Sequence, residues 1–98
     1  MTNSVIDAIN ERHILQINYP PGIRVVEPHA IGYGSDGQIL VRAFQTSGAS
    51  ASGEPVNWKL LRLDRFLGAV FTGTSFPGPR PGYKRGDSAM KRGIIAQL

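Results

Sequence analysis

Twelve glycines and seven prolines among 98 residues set the tightest limit on what this chain can fold into. Glycine weakens helix interiors and proline breaks them, so regular segments must be short and separated by turns. That argues for short strands and against a helical bundle. The length fits one domain, able to bury roughly two thirds of its unfolded surface in a single core. Hydrophobic residues at 41% and charged residues at 18% are the proportions of a globular chain rather than a disordered one. No apolar run approaches the length of a membrane span, and MTNSVIDAINERHI lacks a basic stretch leading into an apolar one. The expectation is a cytoplasmic protein with no membrane partner. Without cysteine there is no disulfide, no thiolate nucleophile and no cysteine-ligated zinc.

The pattern begins with a short helix. Val5, Ile6, Ala8 and Ile9 form an apolar stripe, Asn3 or Ser4 can cap it, and Asp7 is placed in its first turn. Ile14 to Tyr19 alternates as a strand and ends at Pro20-Pro21-Gly22. Ile23 to Tyr33 is a second strand, interrupted by Pro28, which lacks a donor and must sit at an edge or a bulge. Gly32-Tyr33-Gly34-Ser35-Asp36-Gly37 matches G-x-G-x-x-G, but the dinucleotide fingerprint needs a following helix, and here a strand follows. The glycines therefore mark a hairpin turn into Gln38–Gln45. Residues 46–55 read as a flexible loop, Trp58 to Leu63 as a strand, Asp64-Arg65-Phe66 as a corner, and Leu67 to Thr72 as the last strand. Phe76 to Tyr83 is a Pro/Gly-rich wrap or linker. Ser88 to Leu98 allows a short helix anchored by Met90, Ile94, Ile95 and Leu98, weakened by Gly93.

Charge is unevenly placed. Residues 1–79 balance Arg12, Arg24, Arg42, Lys59, Arg62 and Arg65 against Asp7, Glu11, Glu27, Asp36, Glu54 and Asp64. The net +4 therefore lies in residues 80–98, where Arg80, Lys84, Arg85, Lys91 and Arg92 face Asp87 alone. Such a segment can attract phosphate backbones, and it can equally be a solvated end. The division read from this is a body over residues 1–79 and a basic C-terminal extension over 80–98. The strands between Ile14 and Thr72 are expected to fold without the last fifteen residues.

Catalysis finds little support. His13 and His29 have no metal-ligand spacing around them, no Gly-x-Ser-x-Gly elbow exists, and Glu54 and Asp64 make no acid–base pair. No catalytic residue, metal or cofactor is expected. His29 reads as a partly buried, hydrogen-bonded histidine. The richest stretch is Trp58 to Phe66, where Arg62 and Arg65 flank Asp64. One reading is an arginine–carboxylate corner that locks a strand end. The other is a pre-oriented arginine for phosphate, joined by Arg42, with Tyr19, Phe44 or Trp58 stacking on a base. The residues leave both open.

These blocks carry a resemblance to the WYL domain of bacterial regulators. Val5-Ile6-Asp7-Ala8-Ile9 and Ile17-Asn18-Tyr19 stand in the family's order. Arg24-Val25-Val26-Glu27-Pro28-His29 resembles its "R-x-v-x-P-h" segment, and Trp58 to Phe66 is similar to "r-x-F-R-L-D-R-I", its most specific element. Gln38-Ile39-Leu40 stands where the family has Trp-Tyr-Leu, so only the leucine survives. The resemblance, from Ser4 to Phe76, implies a small SH3-like, Sm-like β-barrel of about five strands. It implies a regulatory or sensor module, of the kind found in transcription factors and in phage-defence and CRISPR systems. It implies as well that the module binds a negatively charged ligand, such as a nucleotide or single-stranded nucleic acid. The residues expected to bind are Tyr19, Arg24, His29, Arg42, Phe44, Trp58, Arg62 and Arg65, with Lys84, Arg85, Lys91 and Arg92 as an auxiliary basic set. The competing expectation is an interaction module, docking on a partner protein or a second copy, whose arginines are structural.

Overall fold

The computed structural model describes residues 1–98. Its single helix, α1 (Thr2–Glu11), buries Val5, Ala8 and Ile9, the residues that recur on one face at helical spacing. Met1 stands at the N-cap and no side chain caps the helix, so Asn3 and Ser4 lie inside it. Asp7 consequently lies beyond the first turn. Arg12 ends α1 in the left-handed conformation (φ 59°), and its N–H donates to the Ile9 carbonyl at 3.3 Å.

Six antiparallel strands complete the fold in one sheet: β1 (His13–Tyr19), β2 (Gly22–Tyr33), β3 (Ile39–Gly48), β4 (Asn57–Arg62), β5 (Gly68–Ser75) and β6 (Ile94–Gln97). Their order is β4-β3-β2-β1-β5, with β6 beside β2. The sheet is open, with β4 and β5 as its ends. A single 3-10 turn, Leu63–Arg65, makes the expected corner. The loop after β3 is pinned by Lys59, whose Nζ donates to Ser50 and Ser52 Oγ at 3.0 Å and to the Glu54 carbonyl at 2.7 Å.

β2 organises the sheet because it changes neighbours part-way along. Its first half, Gly22 to Val26, pairs with β1, and Ala30 to Gly32 pairs with β6. Pro28 sits in the gap between these partners, where its missing N–H leaves no ladder bond unmade. A bulge between Pro28 and Ala30 interrupts the register with β3 and leaves His29 unpaired in it. The short helix expected over Ser88–Leu98 does not form. Instead, β-branched Ile94 and Ile95 enter β6, which occupies the edge that β2 exposes once β1 has ended.

One face of the sheet packs Leu15, Ile17, Val26, Ile31, Val41, Ala43 and Leu61 against α1, with Ile95, Ala96 and Leu98 joining from the C-terminal segment. The opposite face of β3 and β4 carries Leu40, Arg42, Phe44, Trp58, Leu60 and Arg62, paired across the two strands as Leu40–Arg62, Arg42–Leu60 and Phe44–Trp58. Residues 76–93 form a strap over much of this second face. Phe76 is buried in it, and Met90 is buried against Ala30 and Leu40. Gly32 is required for that approach. A Cβ there would stand 2.5 Å from the Gly93 oxygen and 2.8 Å from Met90 Sδ. The third glycine of the motif, Gly37, supplies the positive φ (80°) of the β2–β3 turn.

Candidate functional site

Alternation along β3 and β4 sends Arg42, Phe44 and Trp58 to the strap face, and the bulge swings His29 onto it as well. His29 is fully buried. Its Nδ1–H donates to the Glu27 carbonyl at 2.8 Å, while its Nε2 accepts from the Arg80 N–H at 3.0 Å. Those two bonds require the neutral imidazole, and burial pushes its pKa below the ordinary value. Around it stand Trp58 (centroids 4.7 Å apart, edge-on), Phe76 (5.4 Å) and Tyr83 (5.1 Å). Phe44 meets Trp58 edge-on at 5.5 Å, and the Arg80 guanidinium lies over the Phe44 ring at 4.5 Å.

Two arginine–carboxylate forks hold the strap on this face. Arg80 grips Glu27 through Nε and Nη2 at 2.8 and 3.0 Å. Arg42 grips Asp87 in the same way at 2.6 and 3.2 Å. The Arg42 fork holds the Asp87 carboxyl below its ordinary pKa. The Tyr83 hydroxyl donates to the Leu98 carbonyl at 3.2 Å, and the Arg85 Nε–H reaches the same oxygen at 2.9 Å. No buried side-chain polar atom is left without a partner.

Between β3, β4 and the strap opens a cleft of about 450 Å³, lined by Arg42, Trp58, Gly82, Tyr83, Lys84, Arg85, Gly86, Asp87 and Ser88. Its aromatic wall is Trp58 and Tyr83, near-parallel (25°) with centroids 6.2 Å apart. Its charge is three cations against one carboxylate. A basic cleft with a ring wall can hold a phosphate and a flat apolar group together. No cluster of His, Cys, Asp or Glu could hold a metal ion.

The structure thus divides the residues expected to bind. Arg42, Trp58, Lys84 and Arg85 line the cleft, while His29 and Phe44 back its aromatic wall. Arg24 lies elsewhere, 3% exposed, with its guanidinium bonded to the Tyr19 and Pro20 carbonyls (3.2 and 2.6 Å) and to Gln45 Oε1 (3.3 Å). Every nitrogen of that side chain is used inside the fold. Tyr19 is buried too: its ring meets Phe66 edge-on and its hydroxyl accepts from the Arg62 N–H at 3.1 Å. Arg62 pairs with Asp64 (3.1 and 2.8 Å) at the far end of β4, roughly 13 Å along the strand from Trp58. Arg65, Lys91 and Arg92 are exposed and do not line the cleft.

Glu27, Arg80, Tyr83 and Asp87 were not among the expected binding residues. One signal pointed to Asp87: it is the single acid among the last nineteen residues, where an uncompensated position invites an arginine partner.

No protein-family profile matches the chain, and no curated protein or solved structure matches it either. No helix is long and apolar enough to cross a membrane.

Proposed function

We propose that this chain is a non-enzymatic, WYL-like sensor module whose cleft takes an anionic ligand combining phosphate with an aromatic base, as a nucleotide or single-stranded nucleic acid does. The open sheet is then a variant of the SH3-like, Sm-like barrel that the resemblance implies. The observation that supports this most is the juxtaposition of the Trp58–Tyr83 wall with Arg42, Lys84 and Arg85 in one cleft. The cations attract phosphate, the rings offer a stacking surface for any base, and the strap gives the cleft depth. Settings in transcription regulation or phage defence follow from the resemblance alone.

Trp58 is the only tryptophan, so its fluorescence reports on this cleft without labelling. Titration with AMP, adenosine, inorganic phosphate and a short oligothymidylate should quench Trp58 with AMP and the strand, and more weakly with either half of the nucleotide. With three cations engaged, log K for the strand should fall with log salt at a slope of about −2. Arg85→Ala and Lys84→Ala should each weaken AMP at least severalfold. Unchanged fluorescence with all four probes at low salt would overturn the reading.

A second reading, docking of a protein partner, draws on a different surface. End strand β5 has no charged residue, and Val70 and Phe71 are exposed along it, with Leu67 exposed just before it.

A further inference from the structure

We propose that the Asp87 carboxylate is an internal competitor for the ligand's phosphate, so that ligand capture and strap docking exclude one another at Arg42. The inference rests on the cleft being the ligand site. Arg42 presents its Nε and Nη2 edge to Asp87 at 2.6 and 3.2 Å. The same two-point edge is what an arginine offers a phosphate. Asp87 is the only negative group in the cleft lining, with Lys84 and Arg85 on the same stretch of strap. It is also the better buried partner, 8% exposed against 27% for Arg42. An arriving phosphate therefore finds the cleft's deepest arginine already occupied by a carboxylate.

The exchange is local, because Asp87 is tied to the residues immediately after it. The Ala89 N–H donates to Asp87 Oδ1 at 3.0 Å, and the Met90 N–H donates to the Asp87 carbonyl at 3.1 Å. Drawing the carboxylate off Arg42 pulls on the turn that seats Met90 against Ala30 and Leu40. β6 starts at Ile94, just beyond that seat, and pairs with the same part of β2. Occupancy of the cleft is thereby converted into loosening of the last strand. This gives a sensor an output on the surface of its own sheet.

The test follows two readouts as isotope-labelled protein is titrated with AMP and, separately, with a short oligothymidylate. One is the Trp58 indole, which reports occupancy. The other is the Ala89 amide, which reports whether Asp87 has moved. In parallel, AMP affinity is measured for Asp87→Asn, which keeps an oxygen for the Ala89 N–H and removes the competing charge. The expected result is loss of Ala89 protection in step with occupancy, and about tenfold tighter AMP binding by the variant. Binding seen at Trp58 with an unmoved Ala89 amide overturns the competition and leaves the cleft reading intact, even if the variant binds more tightly. Unchanged affinity in a folded Asp87→Asn does the same. Silence at Trp58 with both probes, in both proteins, overturns the cleft reading and this inference with it. A response to the strand alone assigns the ligand to polymeric nucleic acid, and a response to both probes assigns it to the shared phosphate-and-base chemistry.

Discussion

The two faces of the β3–β4 ribbon are built from the same alternation but held by different forces. On the inner face Val41, Ala43 and Leu61 meet α1 through apolar burial, which is non-directional and has no charge to titrate or to pair with an ion. On the outer face the apolar seat of Phe76 and Met90 is supplemented by two arginine forks, a neutral histidine and a set of edge-on rings that hold the strap. These contacts depend on protonation and on competing ions. An apolar interface fixes a fold. A polar interface, with every partner satisfied, can also be opened selectively, and the candidate ligand cleft lies on that side.

The largest effect should come from deleting residues 84–98. The deletion removes β6 and with it the partner of β2 on the edge away from β3, at Ala30, Ile31 and Gly32. It also strips buried Met90 and the apolar cover that Ile95, Ala96 and Leu98 give the core. The deletion should abolish a cooperative thermal transition by circular dichroism, because it cuts both faces at once. A truncated protein melting within a few degrees of the parent would break the comparison, since the strap would then be dispensable to both faces.

Protonation should separate the faces more gently. Burial pushes the His29 pKa below its ordinary 6.5, so the unfolded chain takes up the proton more readily than the folded one. His29's contribution is therefore complete above about pH 6.5 and declines as the pH drops toward the folded value. Protonated Nε2 would face the Arg80 N–H donor-to-donor. Asp87 adds a second loss with the same sign. Its carboxyl is held below the ordinary 3.8 by the Arg42 fork, so that stability is present above 3.8 and lost as the pH falls through the folded value. The melting temperature should be flat above pH 7 and fall between about pH 6.5 and 5, with the Tyr83 amide losing exchange protection before that of Ile17. A flat profile down to pH 5, or simultaneous loss at both amides, would show that the strap is not an independently titrating layer.

The same contrast explains which parts of the molecule could be read from the residues. The inner face was legible because alternation and helical spacing are local: Val5, Ala8 and Ile9 on α1, then Leu15 and Ile17 on β1. Pro28, confined to an edge or a bulge by its missing donor, lies in the gap between β1 and β6, beside the bulge at His29. The outer face is made of long-range pairs, Glu27 with Arg80 and Arg42 with Asp87, and nothing near either arginine names its partner. β6 was hidden for a related reason. Ile94 and Ile95 suit a strand, but a four-residue strand forms only because β2 offers an edge where β1 ends. Arg24 matched an expected binding position, yet its fate depended on the Tyr19 and Pro20 carbonyls and Gln45 around it.

The smallest effect is expected at the corner that looked most functional in the sequence. Arg62 and Asp64 lie two residues apart and make a complete fork, yet their side chains are 45% and 61% exposed. Water screens such a pair, and its energy is lost in the freedom of two solvated side chains. The Asp64 carboxyl is still held below its ordinary pKa by the Arg62 bond, as any ion pair holds its carboxylate. Arg62→Ala and Arg65→Ala should therefore leave the melting temperature unchanged within measurement and the Trp58 response to AMP undiminished, while Arg42→Ala lowers both. The Arg62 backbone N–H, which the Tyr19 hydroxyl accepts, survives the substitution and keeps the strand end in place. If Arg62→Ala instead weakened AMP as much as Arg85→Ala does, the ligand would have to reach along β4 to the corner, and the binding surface would be a groove rather than a cleft. A strand long enough to span both would then lose affinity in Arg62→Ala while the mononucleotide did not, and the two probes would map how far along the outer face recognition extends.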